Sequence, residues 1–362
     1  MLIGIIGLPN GTKTTIFNAL THSQVETTAY STRQVETHKA TVVVPDIRVN
    51  CLEAMFQPRK TTYARVEYHD IAGLRAGIGR DGGLSGPLLN AVAQNDALLH
   101  VVRAFEDERV PHPAGSVDPA RDLAALDFEL LFSDLLIVER RLERLEHTLS
   151  RKGAYAERQA DQEELDLLAR VKAGLEQEVP VRDMALTPGE EKRLRGYQFL
   201  TAKPVLVVLN VGDDGDDQPD HYLCYPHRDS AVICLHGGLE MEIARLDAEE
   251  AEFFLAEYGI EEPGLRRMIR LSYELLGLQS FFTVGEDEVR AWTIPQEANA
   301  VEAASAIHSD LARGFICAEV IRYDDLVAAG SMVEARRRGC VHLQGRDYVV
   351  QDGDVLSVRF NA

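Results

Sequence analysis

Short apolar runs separated by amphipathic stretches fill the first hundred positions. LIGIIG at the start, ATVVV at Ala40–Val44, RVEYHD at Arg65–Asp70 and ALLHVV at Ala97–Val102 each predict a strand, with a helix over Lys13–Leu20 between the first two. Strands alternating with helices predict a mostly parallel sheet with crossovers. From Pro119 the pattern changes: Leu123, Leu126, Leu130, Leu135, Val138 and Leu142 recur at three-to-four spacing, which predicts a long amphipathic helix. A second such pattern, EELDLLARVKAGLEQEV, follows a polar break at Arg151–Gln162, and together the two predict an antiparallel helical pair inserted into the α/β domain. An arm that only packs its own apolar stripe is the alternative reading. KPVLVVLNV at Lys203–Val211 is apolar throughout and predicts a central strand, and AVICLH at Ala231–His236 predicts the last one. After Leu278 the runs SFFTVG, VRAWTI, DYVV and DVLSVRF alternate around one helix, AVEAASAIHSDLARGF, as in a small separate α+β module. The boundaries expected are therefore an α/β domain over 1–118 and 200–277, an inserted arm over 119–199 and a C-terminal module over 278–362.

The totals narrow this picture without redirecting it. At 362 residues, 45% hydrophobic and 27% charged, the chain has an ordinary globular composition and is long for a single core. No apolar run reaches membrane-spanning length, so no membrane partner is expected. The five cysteines form no C-x-x-C pair and no Cys/His cluster with metal spacing, which predicts reduced thiols and a cytoplasmic location. A formal charge of -20 argues against indiscriminate nucleic-acid binding, and DNA is not an expected partner.

The chemistry is concentrated in GLPNGTKTTIFNAL, Gly7–Leu20. The phosphate-loop pattern G-x-x-x-x-G-K-[ST] fits Gly7, Lys13 and Thr14, while Thr12 stands where the second glycine belongs. In such a loop Lys13 lies against the β- and γ-phosphates and the Thr14 hydroxyl ligates Mg²⁺. DIAGL adds a D-x-x-G pair, with Asp70 on the metal shell and the Gly73 N–H sensing the γ-phosphate. Capping of the next turn is the bland role for Asp70. Asn210, at the end of an apolar strand, fits a base-reading position.

Together with these residues, GLPN followed by FNALT, VPD, DIAGL, LLHVVRAFED, NVGD, GIEEPGLRRMIRLSYELLGLQSFFTVG, EVRAWTIP, IHSDLARGFICAEVIRYDDL and DYVVQDGDVLSVRFNA resemble the YchF family of Obg-like ATPases along the whole chain. The resemblance implies a Ras-like P-loop NTPase domain, an inserted coiled-coil arm and a C-terminal α+β module of the TGS-like, β-grasp kind. It also implies preference for ATP over GTP, Mg²⁺ dependence, and association with the ribosome or ribosomal RNA through the arm and the TGS-like module. By position it places Gly7, Asn10, Gly11, Thr12, Lys13, Thr14 and Thr15 in the phosphate loop, with Asn10 also a candidate ligand for K⁺. Asp70, Thr14 and Asn10 become the metal candidates, and Gly73, Asn210 and Asp213 complete the nucleotide contacts. Leu74 occupies the place of a water-orienting glutamine, and His112 in ERVPHPAG matches the loop histidine with which the family replaces it. An ordinary loop histidine between two prolines is the competing reading.

Several positions depart from the family pattern. Its loop reads G-L-P-N-V-G-K-S, whereas Gly11-Thr12 stands here, and a β-branched residue at positive φ carries strain of about 1–3 kcal/mol. Gly11 offers one way to relieve it. Gln34 replaces the switch-I threonine, with Thr32 and Thr37 nearby; Arg33 stands near the family's reactive cysteine; and Asp213 shortens the carboxylate of N-x-x-E. Two functions therefore compete, a slow Mg·ATPase and a scaffold whose nucleotide site has lost turnover. Outside this region, Trp292 is expected in a core, His308 at a helix end and His236 in a structural role. The run Arg336-Arg337-Arg338 is a candidate RNA contact or a solvated turn.

Overall fold

A computed structural model describes residues 1–21, 37–71, 86–150, 155–258, 260 and 262–361. The chain divides into two units, Met1–Ala40 with Glu67–Leu265, and Thr41–Val66 with Arg266–Ala362.

The first unit is built on a six-stranded sheet. Its strands are β1 (Leu2–Ile6), β2 (Thr37–Val43), β4 (Arg65–Ile71), β5 (Ala97–Arg103), β6 (Val205–Asn210) and β7 (Ser230–Leu235), in the order β2-β4-β1-β5-β6-β7. The pairings of β1 with β4 and β5, of β5 with β6 and of β6 with β7 are all parallel. β5 and β6 are buried at every position, which is why their sequences run without alternation, apolar but for His100, Arg103 and Asn210. Helices α1 (Lys13–Thr21), α3 (Gly86–Ala93), α7 (Gly237–Ile243) and α8 (Ala248–Glu257) follow strands in this unit. Residues Ile6, Ile71, Leu98, Val102, Leu126 and Val207 belong to one continuous core.

The arm grows from β5. Its first helix, α4 (Pro119–Leu149), starts at Asp118, whose side chain accepts from the Arg121 N–H, with Pro119 in the first turn. Thirty-one residues make a rod about 46 Å long. The partner helix α5 (Tyr155–Glu176) begins earlier than the expected break at Arg151–Gln162 allows. The polar residues there are good helix formers, and Gln159 and Gln162 hydrogen-bond Glu163 and Asp166 one turn on. Val138, Leu145, Leu168, Val171 and Leu175 pack between the two helices, and α6 (Pro188–Leu194) adds Leu194. At the base, the fully buried Asp134 of α4 accepts from the Leu200 N–H, the Thr201 N–H and the Thr201 hydroxyl at 2.9, 2.8 and 2.7 Å. That network ties α4 to the chain entering β6.

The second unit carries its own sheet, in the order β11-β10-β12-β8-β9-β3. The strands are β3 (Lys60–Thr62), β8 (Leu278–Thr283), β9 (Glu288–Pro295), β10 (Phe315–Arg322), β11 (His342–Gln344) and β12 (Asp354–Phe360). Helices α2 (Ile47–Phe56), α9 (Gly264–Leu275), α10 (Ala300–Ile307), α11 (Ser309–Arg313), α12 (Tyr323–Ala329) and α13 (Met332–Arg337) complete the chain. Three alanines of α10, Ala300, Ala303 and Ala304, are buried in the core with Phe281, Phe315 and Val320, so small side chains bring this helix close to its neighbours. The expected single helix over 300–315 is interrupted at His308. Its extended backbone (φ −165°, ψ 140°) ends α10, and its side chain accepts from the Asp310 N–H to start α11. FICAEVIR, absent from the expected strands, forms β10, whereas DYVV contributes one bridge, Val349 to Asn299. Trp292 is only part-buried; its indole donates to Thr283 and carries the Arg290 guanidinium 3.8 Å from its ring centre. The Arg336-Arg337-Arg338 run lies at the end of α13 and is paired with Glu319 and Glu334.

Candidate nucleotide-binding site

β1 delivers the chain into the loop between two parallel neighbours, and the loop delivers it into the N-terminus of α1. Gly7 makes the exit with φ 156°, and a Cβ there would sit 2.4 Å from the Val101 carbonyl oxygen, so no other residue fits. The Gly11 N–H then donates to the Leu8 carbonyl at 3.1 Å, closing a turn. Asn10 and Thr12 both take left-handed conformations, with φ 60° and 63°. Thr12 is therefore strained as its substitution for glycine implies, and Gly11 does not relieve it, since its own φ is not positive. The Thr12 hydroxyl is held on both sides: it donates to the Gly11 carbonyl at 2.6 Å and accepts from Asn210 Nδ2 at 2.6 Å. The carbonyl of Thr12 accepts from the N–H groups of Thr15 and Ile16 as α1 begins.

Lys13 folds back along the loop. Its Nζ donates to the carbonyls of Gly7 and Leu8 at 3.1 and 2.8 Å, and the residue is only 7% exposed. An ammonium has three donors, so a third remains to meet a phosphate. Burial lowers its pKa from 10.5 to about 8 against the opposing pull of Asp70. Asp70 stands at the end of β4 opposite Ile5 of β1. Burial pushes its carboxyl upward, opposed by Lys13, His38 and a hydrogen bond from the Thr14 side chain. One carboxylate oxygen, Oδ1, is buried with no hydrogen-bond partner among the described residues. An oxygen so placed beside a threonine hydroxyl fits a hard cation such as Mg²⁺, which is held in phosphoryl-transfer sites by one or two protein oxygens and the substrate's phosphates.

Asn210, at the end of β6, uses both ends of its amide: Nδ2 on Thr12 and Oδ1 on the Gly237 N–H at 2.9 Å. Asp213 is exposed in the turn that follows, and His236 fixes that turn through the Gly212 carbonyl at 2.8 Å. His112 lies in the loop after β5. That loop is organised by the buried Arg103, whose guanidinium donates to the carbonyls of Phe105, Asp107 and Val110, and by Asn10, whose Nδ2 donates to the Pro111 carbonyl at 3.3 Å. The ring of His112 is turned inward, its Nε2 at 2.8 Å from Asp122 Oδ2 in the first turn of α4. Beside the pair lies a cavity of ≈ 10 Å³ lined by Leu8, Gly11, His100 and Arg103 among others. His100 of β5 is 1% exposed, and neither ring nitrogen has a hydrogen-bond partner among the described residues. Burial and the nearby Lys13 hold its pKa down at about 3.

The geometry thus brings together Gly7, Asn10, Gly11, Thr12, Lys13, Thr14, Thr15, Asp70 and Asn210, with His112 on the flank. Gly73, Leu74, Thr32, Arg33 and Gln34 lie outside the described residues. Asp122, Arg103 and His100 carried no sequence signal: Asp122 meets His112 from another element, Arg103 bonds backbone carbonyls, and His100 lies buried inside an apolar run.

Comparison with known proteins places the chain in a family. Residues 2–130 match the family model MMR_HSR1, described as a 50S ribosome-binding GTPase, and residues 278–361 match YchF-GTPase_C, described as a protein of unknown function. The chain is 40% identical to the "Ribosome-binding ATPase YchF" of Bacillus subtilis (strain 168) over 99% of this chain and 98% of that protein. It is 38% identical to the protein of the same name from Escherichia coli O157:H7, with the same coverage. The solved structure of the Schizosaccharomyces pombe YchF GTPase superposes with a TM-score of 0.85 at 30% identity, covering 99% of this chain and 97% of that one. Relatedness of this depth along the full length settles the assignment: the chain belongs to the YchF family, with a P-loop GTPase domain and a C-terminal YchF domain.

Proposed function

We propose that the protein binds Mg·ATP in the loop Gly7–Thr15 and hydrolyses it slowly, and that its nucleotide state governs association with the ribosome or ribosomal RNA through the arm and the TGS-like module. The observation that carries the reading is Lys13, buried on its own loop's carbonyls with one donor left and facing Asp70. Bound Mg²⁺ would neutralise charge on the β- and γ-phosphates; Thr14 and Asp70 are the residues to hold it. Backbone N–H groups at the start of α1 receive the phosphate oxygens, with the helix dipole behind them. Asn210 and Asp213 meet the base, Asn10 offers an oxygen to a monovalent ion such as K⁺, and the Gly73 N–H senses the γ-phosphate. Hydrolysis falls to His112, because Leu74 has no polar atom with which to orient water.

A second reading, a scaffold without turnover, draws support from Thr12 at φ 63° and from the engagement of His112 with Asp122. Calorimetric titration with a non-hydrolysable ATP analogue and Mg²⁺ separates the first reading from any that lacks a nucleotide. Heat at submillimolar analogue is expected, and none at millimolar analogue overturns the proposal. GTP binding as tightly as ATP would remove the ATP preference.

A further inference from the structure

We propose that Asp122 is a positioning residue that withholds His112 from the nucleotide, so that the first turn of α4, the root of the arm, sets the hydrolysis rate. The inference deepens the function proposed above and rests on its assignment of hydrolysis to His112. Both nitrogens of that ring are occupied. Nδ1 accepts from the Ala114 N–H at 3.2 Å, so the ring proton sits on Nε2, where it points at Asp122 Oδ2 2.8 Å away. Asp122 cannot yield easily, because its other oxygen accepts from Arg121 Nε and Nη2 at 2.9 and 2.8 Å and its backbone N–H is held by the Asp118 carbonyl. The two side chains are 4% and 6% exposed. A ring that orients water must present a nitrogen to that water, and this one presents none.

The held position is nevertheless adjacent to the loop. Asn10 donates to the Pro111 carbonyl, the residue before His112, and the small cavity beside the pair is bounded by Gly11. Parting Nε2 from Asp122 would therefore free the ring at the edge of the phosphate loop without remodelling β5. Because Asp122 belongs to the arm's first helix, a partner that displaces the root of α4 would also loosen the latch.

Single-turnover ATP hydrolysis by the full chain tests the idea in Asp122→Ala, Asp122→Asn, His112→Ala and the double variant Asp122→Ala/His112→Ala. Loss of one charge-assisted hydrogen bond predicts a rise of at least about five-fold in Asp122→Ala. A smaller rise is expected in Asp122→Asn, which keeps an acceptor oxygen, and the gain should vanish in the double variant. The affinity for the ATP analogue should stay at the unsubstituted level in Asp122→Ala, since neither partner sits on the phosphate loop. An unchanged or lowered rate in both Asp122 variants, with cooperative thermal unfolding retained, overturns the latch. Exchange of the His112 Nε2 proton with water, followed by ¹⁵N-resolved NMR, gives a readout without nucleotide: slow in the unsubstituted protein, where Asp122 holds that proton, and faster in Asp122→Ala. If no protein binds the analogue, the nucleotide reading fails; in that event exchange unmoved by Asp122→Ala overturns the latch as well, and faster exchange supports it.

Discussion

Thr12 shows how one side chain alters a site built for glycine. Its left-handed φ carries about 1–3 kcal/mol of strain for a β-branched residue, and the hydrogen bonds to Gly11 and Asn210 hold that conformation in place. Strain present with and without ligand cancels from an affinity; the Asn210 link does not cancel if the loop must shift as its N–H groups turn to a phosphate. Thr12→Gly is therefore expected to tighten Mg·ATP binding about five-fold, the worth of one hydrogen bond, and calorimetry reading no change would assign Thr12 no part in binding. Lys13 supports a second measurement. Its pKa in the folded protein is lowered by burial to about 8, and an anion beside it raises it again. Binding above pH 8 and below the ordinary lysine value should then take up a proton, and affinity should fall as pH rises through that window. Titrations at pH 8.5 in buffers of different ionisation enthalpy would report the uptake; identical heats in all buffers would contradict it. The gathering of Gly7, Lys13, Thr14 and Asp70 at one loop was legible in the sequence, because each stands in a short motif at the end of an apolar strand. The conformation of Thr12 was not, since its alternative, a different path at Gly11, is decided by whether the turn to Leu8 forms.

At the scale of elements, legibility followed the strength of the local pattern. β1, β5 and β6 announced themselves as mainly apolar runs without alternation, since burial on both faces removes the reason for it. The α4 stripe from Pro119 was equally plain. Expectation and structure part where polar residues continue a helix and where an apolar run changes element. Residues Tyr155–Gln162 are helical because long polar side chains favour a helix once α4 offers a surface for α5 to pack on. The stretch from Ala300 to Phe315 changes from helix to strand because His308 caps in both directions, and the pairing of Phe315–Arg322 with β12 claims the residues that follow. Asn299 with Glu302 forms the capping box that starts α10.

At the scale of the whole molecule, one long-range pairing redraws the organisation. β3 pairs in parallel with β9, Lys60 opposite Glu288, and Arg48 donates to both Asp46 and Asp352 over the ring of Phe282, so Thr41–Val66 groups with the C-terminal residues. Within that unit the basic run is offset by Glu319 and Glu334, which leaves little unpaired positive charge there for RNA. Ribosome association is accordingly expected to follow nucleotide state more than bulk charge. In co-sedimentation, more protein should pellet with ribosomes in one nucleotide state than in the other, and equal pelleting with and without the ATP analogue would remove that coupling. The alternation that makes a parallel sheet, the amphipathic arm and the phosphate-loop spacing of Gly7, Lys13 and Thr14 can all be read along the chain, because each depends on neighbours a few positions away. Thr12 tied to Asn210, His112 held by Asp122 and a three-residue strand joined to a distant sheet are visible in the folded chain alone. Those contacts join residues far apart in the chain, and their energies exist only once separate elements are packed together.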